Sequence, residues 1–173
     1  MGVLPNSELG ATAGIHTGIK GALRVNRRLE TNANDIYAAG DCVETWHRLL
    51  DRYTYMPLGT TSHKQGRIAA ENVVGGDREF AGSVGTQVVK IFDSVAARTG
   101  LREDEARKAG YDPATIETTV WDHKAYYPGA RELHRRNTGD AKSGQLLGAQ
   151  LLGHKDSEVS ERLDIFATHF STI

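Results

Sequence analysis

A single cysteine, Cys42, is the only thiol in 173 residues, which excludes an internal disulfide framework and any all-cysteine metal site. Long hydrophobic runs are missing as well. The longest covers a few residues, far short of a bilayer crossing. The N-terminus lacks the charged-then-apolar pattern of a signal peptide, so a cytoplasmic location is expected. Excess charge of one sign is absent, with 21 Lys and Arg set against 22 Asp and Glu. Nothing there favours nucleic acid or an acidic membrane surface, and neither is expected as a partner. The seven histidines show no i, i+4 pair and no neighbouring cysteine or carboxylate at ligand spacing, so no metal site is expected. No G-x-G-x-x-G follows a strand, and the fingerprint of a dinucleotide-binding turn is therefore lacking. Aromatics are sparse, and two of the six tyrosines stand side by side at Tyr126 and Tyr127.

What is present begins with glycine: 19 residues spread without a period, which points to tight turns rather than low complexity. The apolar share of 39% is enough for a core, in one ordinary domain or two small ones. The most informative stretch runs from Thr31 to Asp41. Polar turn formers lead into a short apolar run, Ile36-Tyr37-Ala38-Ala39, which stops at Gly40-Asp41. That pattern predicts a buried parallel strand delivering a carboxylate to the crevice at its carboxyl end. Gly40 removes the last Cβ and lets a backbone or ligand come close.

Around this stretch the chain reads as follows. Gly2-Val3-Leu4-Pro5-Asn6 looks like the exit from an element lying upstream, because the proline stops sheet pairing. Leu9, Ala13 and Ile15 allow one helical turn. Residues 21–28 alternate, with Leu23 and Val25 on one face, and predict a short strand. Residues 42–55 have no clean period and read as a long loop with Glu44, His47, Arg48 and Arg52 in solvent. Residues 60–75 form the best helix, with Thr60, Thr61 and Ser62 as N-cap candidates and Gly75-Gly76 as the stop. Ile68, Asn72 and Val73 mark its inner face. Pro57 and Gly59 keep the helix from starting earlier, so its positive end and free N–H groups follow a glycine and suit negative charge on a ligand.

Residues 76–85 are short, polar and glycine-rich, a domain boundary. Beyond them the pattern predicts a strand over 86–93 continued by 95–98, a helix over 103–109 and a strand over 114–120. Two further strands, 131–136 and 145–152, are joined by a loop holding Thr138-Gly139-Asp140 and Ser143-Gly144, a hairpin signal. A last amphipathic helix over 157–170 buries Val159, Leu163, Phe166 and Phe170, with Ser157 as cap. The fold class is α+β: an antiparallel-sheet domain over 79–173 preceded by an α/β remnant over 1–78.

Several of these motifs resemble one family. T-x(n)-D-I-Y-A-x-G-D, ending at Asp41, resembles the second flavin motif of the FAD-dependent pyridine nucleotide-disulfide oxidoreductases. Pro57-Leu58-Gly59-Thr60-Thr61-Ser62-His63-Lys64-Gln65-Gly66-Arg67 is similar to the family's P-L-x-x-x-A-N-K-Q-G-R, with Ser62-His63 in place of the commoner Ala-Asn. V-x-K-x-F-D, T-G-L, Y-Y-P-G-A and G-x-L-L-G-A-Q-L-x-G resemble the dimerisation domain of its coenzyme A-disulfide reductase and NADH oxidase branch. The resemblance implies that 1–78 is the end of an FAD-binding domain and 79–173 a dimerisation domain, in a fragment shortened at both ends. Residues 171–173 would mark the second shortening.

The resemblance also implies roles. Asp41 would hydrogen-bond the FAD ribitol and Gly40 approach the pyrophosphate. Pro57, Leu58, Gly59, Thr60 and Thr61 would set a helix N-terminus against the isoalloxazine. Tyr127, and second Tyr126, would reach across a homodimer toward the partner's redox cysteine. The parent would carry electrons from NADH or NADPH through FAD to coenzyme A disulfide, another disulfide or oxygen. Its missing N-terminal portion would hold the redox cysteine, so this chain alone would be inactive and retain FAD poorly. Cys42 is read as structural, since a thiol beside Asp41 resists ionisation, and His169 lacks the tail context of a catalytic histidine. A reading from a different class stays open: a stand-alone, non-catalytic α+β dimerisation module.

Overall fold

The computed structural model describes residues 2–170. The expectation about residues 171–173 lies outside them. Contacts divide the chain into two compact units, Met1–Ser83 and Val84–Ile173.

The first unit is built around Ile15, Leu23, Val25, Leu29, Val43, Ile68 and Phe80. It contains a short helix α1, Glu8–Thr12, and a 3-10 turn at Ile19–Gly21. The alternation over 21–28 is real, since Leu23 and Val25 are buried while Arg24 and Asn26 are exposed. The segment nonetheless makes isolated bridges, from Leu23 to Thr17 and to Val43, rather than a strand. The expected loop over 42–55 is instead a hairpin. Strand β1, Thr45–His47, pairs antiparallel with β2, Arg52–Thr54, and Trp46 meets Tyr53 edge-on at 5.1 Å. Glu44 and His47, expected in solvent, are each only 6% exposed. The Glu44 carboxylate is drawn in because it accepts the Ile19 N–H at 2.7 Å, which a buried charge requires.

The parallel strand expected over 36–39 is not formed. Glu30 and Tyr37 make a single antiparallel bridge, the Ala38 N–H donates to Leu29, and the Thr31 N–H donates to Ile36. The run folds back on the residues just before it through the 32–35 turn, where Asp35 takes φ 62°. A parallel strand needs a distant neighbour in register, and among the described residues this segment pairs with its own approach. Ile36 is accordingly exposed.

Helix α2, Gly59–Val73, closes the unit. Its N-cap is Leu58 and no side chain caps it, a correction to the hydroxyl caps expected at 60–62. Its buried residues are Thr61, Gln65, Ile68 and Asn72, while Val73 is exposed. Steps of four, three and four residues are one helical stripe, so the inner face is half polar. Asn72 shows why: its amide donates to the carbonyls of Arg28 and Arg78 and accepts the Arg78 N–H, each at 2.8 Å. Gly75, at φ 94°, ends the helix as expected.

The second unit is a five-stranded antiparallel sheet in the order β3-β4-β7-β6-β5. The strands are β3 Gln87–Ile91, β4 Ser94–Gly100, β5 Pro113–Trp121, β6 Glu132–Asp140 and β7 Leu146–His154. Residues 95–98 do not continue β3. The chain reverses at Phe92, φ 52°, so that Ile91 faces Ser94 and β4 runs back alongside. Likewise β6 continues through Thr138-Gly139-Asp140, with a register shift at Thr138/Gly139, and the hairpin loop is shorter than expected. Helix α3 spans Glu103–Lys108 and helix α4 spans Val159–His169.

Helix α4 lies across β4 and β7 and covers one sheet face. Val159 and Leu163 pack there with Val95, Ala97, Leu133, Ala149 and Leu151. Glu158, in the left-handed region, precedes α4 as N-cap; Ser157 is one residue too early to cap it and is buried instead. Backbones meet closely where β7 passes the end of β4. A Cβ on Gly148 would lie 2.0 Å from the Leu101 carbonyl oxygen, so glycine is required. An antiparallel sheet with helices is the α+β class expected for this half.

Candidate functional site

The first site is assembled from two segments 20 residues apart. Gly40, at φ 97°, turns the chain in a region that suits only glycine, and sets Asp41 in solvent. Facing it is the start of α2. The Ser62 hydroxyl donates to Asp41 Oδ1 at 2.5 Å, a charge-assisted bond at the short end of its range. One turn further on, Gln65 is 1% exposed. Its Oε1 accepts the Gly40 N–H at 3.0 Å and its Nε2 donates to Thr45 Oγ1 at 3.2 Å. Asp41 and the helix end are thus held together by side chains of the helix.

The expected site residues fall as follows. Gly40 and Asp41 form the turn just described. Pro57 and Leu58 are half-buried, and Leu58, in extended conformation, leads the chain into α2. Gly59 and Thr60 are exposed, and a Cβ built on Gly59 meets nothing within 4 Å. The uncapped first turn therefore presents N–H groups and the positive helix end outward. Thr61 is different. It is buried, and its hydroxyl donates inward to Ser83 Oγ at 3.4 Å, which leaves its backbone alone for a ligand.

Sequence reasoning took Ser62 only as an N-cap candidate and passed over the side chain of Gln65. The signal for Gln65 was the helical stripe 61, 65, 68, 72, in which a glutamine and an asparagine occupy inward positions. Polar side chains there must find partners. Tyr55 was also passed over. Its Oη is shut off from solvent without a hydrogen-bond partner among the described residues, and its ionisation is pushed up by burial and then by the Asp41 charge. Cys42 lies in the same neighbourhood. It is half-buried, with Sγ 3.6 Å from the Ala39 carbonyl oxygen, and burial pushes its thiol up, which opposes thiolate formation.

The second site belongs to the other unit. The loop from β5 to β6 carries Tyr126 and Tyr127, whose rings stack at 5.2 Å and are 76% and 53% exposed. Lys124 Nζ stands 5.9 Å from the Tyr126 ring. The loop is tied at its base. Asp122 is buried, accepts the Arg131 N–H at 2.8 Å, and stands 3.1 Å from His123 Nδ1. The Arg131 N–H, and with it further hydrogen bonds, holds the Asp122 carboxyl well below the usual carboxylate range. Arg162 of α4 donates to the Asp122 carbonyl. A rigid base and two exposed rings make a contact surface without a nucleophile. Among the described residues no group of three or more His, Cys, Asp or Glu is placed to hold a metal, and no helix is long and apolar enough to cross a membrane.

Comparison with known proteins covers both units. Residues 1–66 match the model described as pyridine nucleotide-disulphide oxidoreductase, and residues 86–171 match the dimerisation domain of the same family. An NAD(P)H coenzyme A polysulfide/persulfide reductase of Pyrococcus horikoshii is 37% identical over 166 residues. A coenzyme A disulfide reductase of Staphylococcus aureus is 34% identical over 168 residues. Each alignment takes in 96% of this chain and 37% of the relative, so the chain spans little more than a third of their length. A solved NAD-dependent persulfide reductase from A. fulgidus superposes with a TM-score of 0.94 at 36% identity, over 99% of this chain and 32% of that one.

Proposed function

We propose that this chain, which belongs to the pyridine nucleotide-disulphide oxidoreductase family, is the flavin-facing and dimer-forming portion of a flavoprotein oxidoreductase. The whole protein would pass electrons from NADH or NADPH through FAD to a small acceptor. Coenzyme A disulfide or a related disulfide or persulfide is favoured by the relatives' activities, with oxygen as the other acceptor.

The observation that carries this reading is the Gly40-Asp41 turn held by Ser62 and Gln65 at the open end of α2. Those residues fit the ribityl and ring end of FAD. Asp41 is exposed and its Oδ2 carries no hydrogen bond among the described residues, so that oxygen can accept from a ribityl hydroxyl. The first turn of α2, from Gly59, offers N–H groups and a positive dipole to the pyrimidine edge of the ring, where negative charge gathers on reduction. The Tyr55 hydroxyl, shielded and without a hydrogen-bond partner among the described residues, adds a polar group that feels the Asp41 charge. FAD, when bound, supplies the two-electron relay; the residues here bind and orient it. A dinucleotide-phosphate cradle is not among them, and the rest of that cofactor site would lie in a missing N-terminal portion.

In this reading residues 1–78 close the FAD-binding domain and 79–173 form the dimerisation domain of a cytoplasmic homodimer. Tyr127, and second Tyr126, would contact the substrate side of the partner subunit; their exposure on a loop tied at both ends supports that role. The test is flavin retention by the whole protein carrying Asp41→Ala. Loss of bound FAD at unchanged folding is expected, and undiminished retention would overturn the assignment.

A further inference from the structure

The carboxylate of Asp41 is not left to find its own rotamer. It sits on an exposed turn, where an unrestrained aspartate would sample several orientations. The Ser62 hydroxyl fixes one of its two oxygens at 2.5 Å. Ser62 itself closes the first turn of α2, whose backbone is set: its N–H donates to the Leu58 carbonyl at 2.9 Å. Gln65 stands three residues further on, on the same face, and pins the peptide N–H that precedes the carboxylate. Being 1% exposed and bonded at both ends of its amide, Gln65 has no freedom to let that peptide move.

We propose that Ser62 is a positioning residue that holds the Asp41 carboxylate for its ligand, with Gln65 holding the backbone of the same turn. The inference rests on the reading above, that the ligand is the ribityl chain of FAD. It adds a division of labour within the carboxylate, in which Oδ1 belongs to the protein and Oδ2 to the ligand. A ligand hydroxyl then meets an oriented acceptor, and less ordering cost falls on binding. It also makes α2 a single gauge for the site. The helix sets the ring contacts with the backbone of its first residues and the ribityl contact through Ser62, so their separation is fixed by one rigid element.

Alanine at this position leaves the carboxylate to be ordered by solvent or by the ligand itself.

The experiment measures FAD dissociation constants, the visible circular dichroism of bound flavin, and apoprotein melting, in the whole protein. The variants are Ser62→Ala, Ser62→Thr, Asp41→Ala and the Ser62→Ala/Asp41→Ala pair. Ser62→Ala is expected to weaken FAD binding about five- to tenfold, the scale of one hydrogen bond to a charged group in a half-exposed setting, and to alter the dichroism. Apoprotein melting should hold. Ser62→Thr keeps the hydroxyl and should restore affinity to within about twofold, since only the bond and not the residue matters. In the Asp41→Ala background Ser62→Ala should cost nothing further, the signature of two residues acting through one contact. Unchanged affinity in Ser62→Ala overturns the proposal, and so does a loss equally large without Asp41. A gain in affinity also overturns it, by showing that the serine competes with the ligand. If Asp41→Ala itself leaves FAD binding intact, the flavin reading fails. If Asp41→Ala loses FAD while Ser62→Ala does not, only the positioning role fails.

Discussion

Asp122 and Arg131 close the loop over 123–130 that exposes Tyr126 and Tyr127: the Asp122 carboxylate accepts the Arg131 N–H at 2.8 Å, and the Asp122 N–H donates to the Arg131 carbonyl at 2.9 Å. The loop hangs between the last residue of β5 and the first of β6, so its ends are fixed by the sheet. Its tip is fixed by turns, with the Tyr127 N–H on the Lys124 carbonyl at 2.8 Å and the Ala130 N–H on Tyr127 at 3.1 Å. The exposed rings are therefore presented by an ordered support.

That support should depend on pH in a defined direction. The Asp122 carboxyl is held low in the folded state, first by the Arg131 N–H. Its contribution is present above the unfolded carboxylate range and is lost as pH falls through the depressed folded value. The melting difference between the wild type and Asp122→Asn should accordingly be full at pH 7 and shrink steadily below about pH 4. Limited proteolysis should cut Asp122→Asn faster within 123–130 at neutral pH. A melting difference independent of pH would show that the carboxylate charge plays no part.

The seam under α4 is the most sensitive place in the sheet unit. Leu163 is fully buried against β4 and β7, while Ile165, two residues on, is 73% exposed. Leu163→Ala should cost about 2–5 kcal/mol by removing packed methyl groups and leaving a cavity. Ile165→Ala should stay within about 0.5 kcal/mol. Urea denaturation reads both, and equal costs would show that the helix is seated differently.

Cys42 should behave as a sheltered thiol. Burial, and then the Asp41 charge, oppose thiolate formation. Reaction with a thiol reagent at pH 7.5 should be slow in the native protein and fast on unfolding, with Cys42→Ser leaving FAD retention unchanged. Rapid native labelling would require an open, ionised thiol there instead.

Patterns whose cause is local were legible in the sequence. Helix α2 follows Pro57 and stops at Gly75 because proline and glycine act through their own backbone. The antiparallel pair β6 and β7 and the inner face of α4 follow from alternation and helical spacing, which record burial directly. Gly40 and Asp41 were singled out by their residues and by family likeness together, though as the end of a parallel strand and not as a turn.

What the sequence could not say concerns partners far along the chain. Residues 36–39 have a strand's composition, but pairing is chosen by whatever lies beside them, and here that is 29–31. Glu44 and His47 look like solvent residues until Ile19 supplies the buried carboxylate with a donor. Residues 95–98 reverse against β3 because Phe92 takes a left-handed backbone that its residue type does not announce.

By itself, then, the sequence determined where the carboxylate turn and the helix N-terminus stand along the chain, since those depend on glycine, proline and periodicity. Only the tertiary structure decided that they face one another through Ser62 and Gln65. A hydrogen bond between residues 21 apart depends on the path of all that lies between, and no local pattern records it.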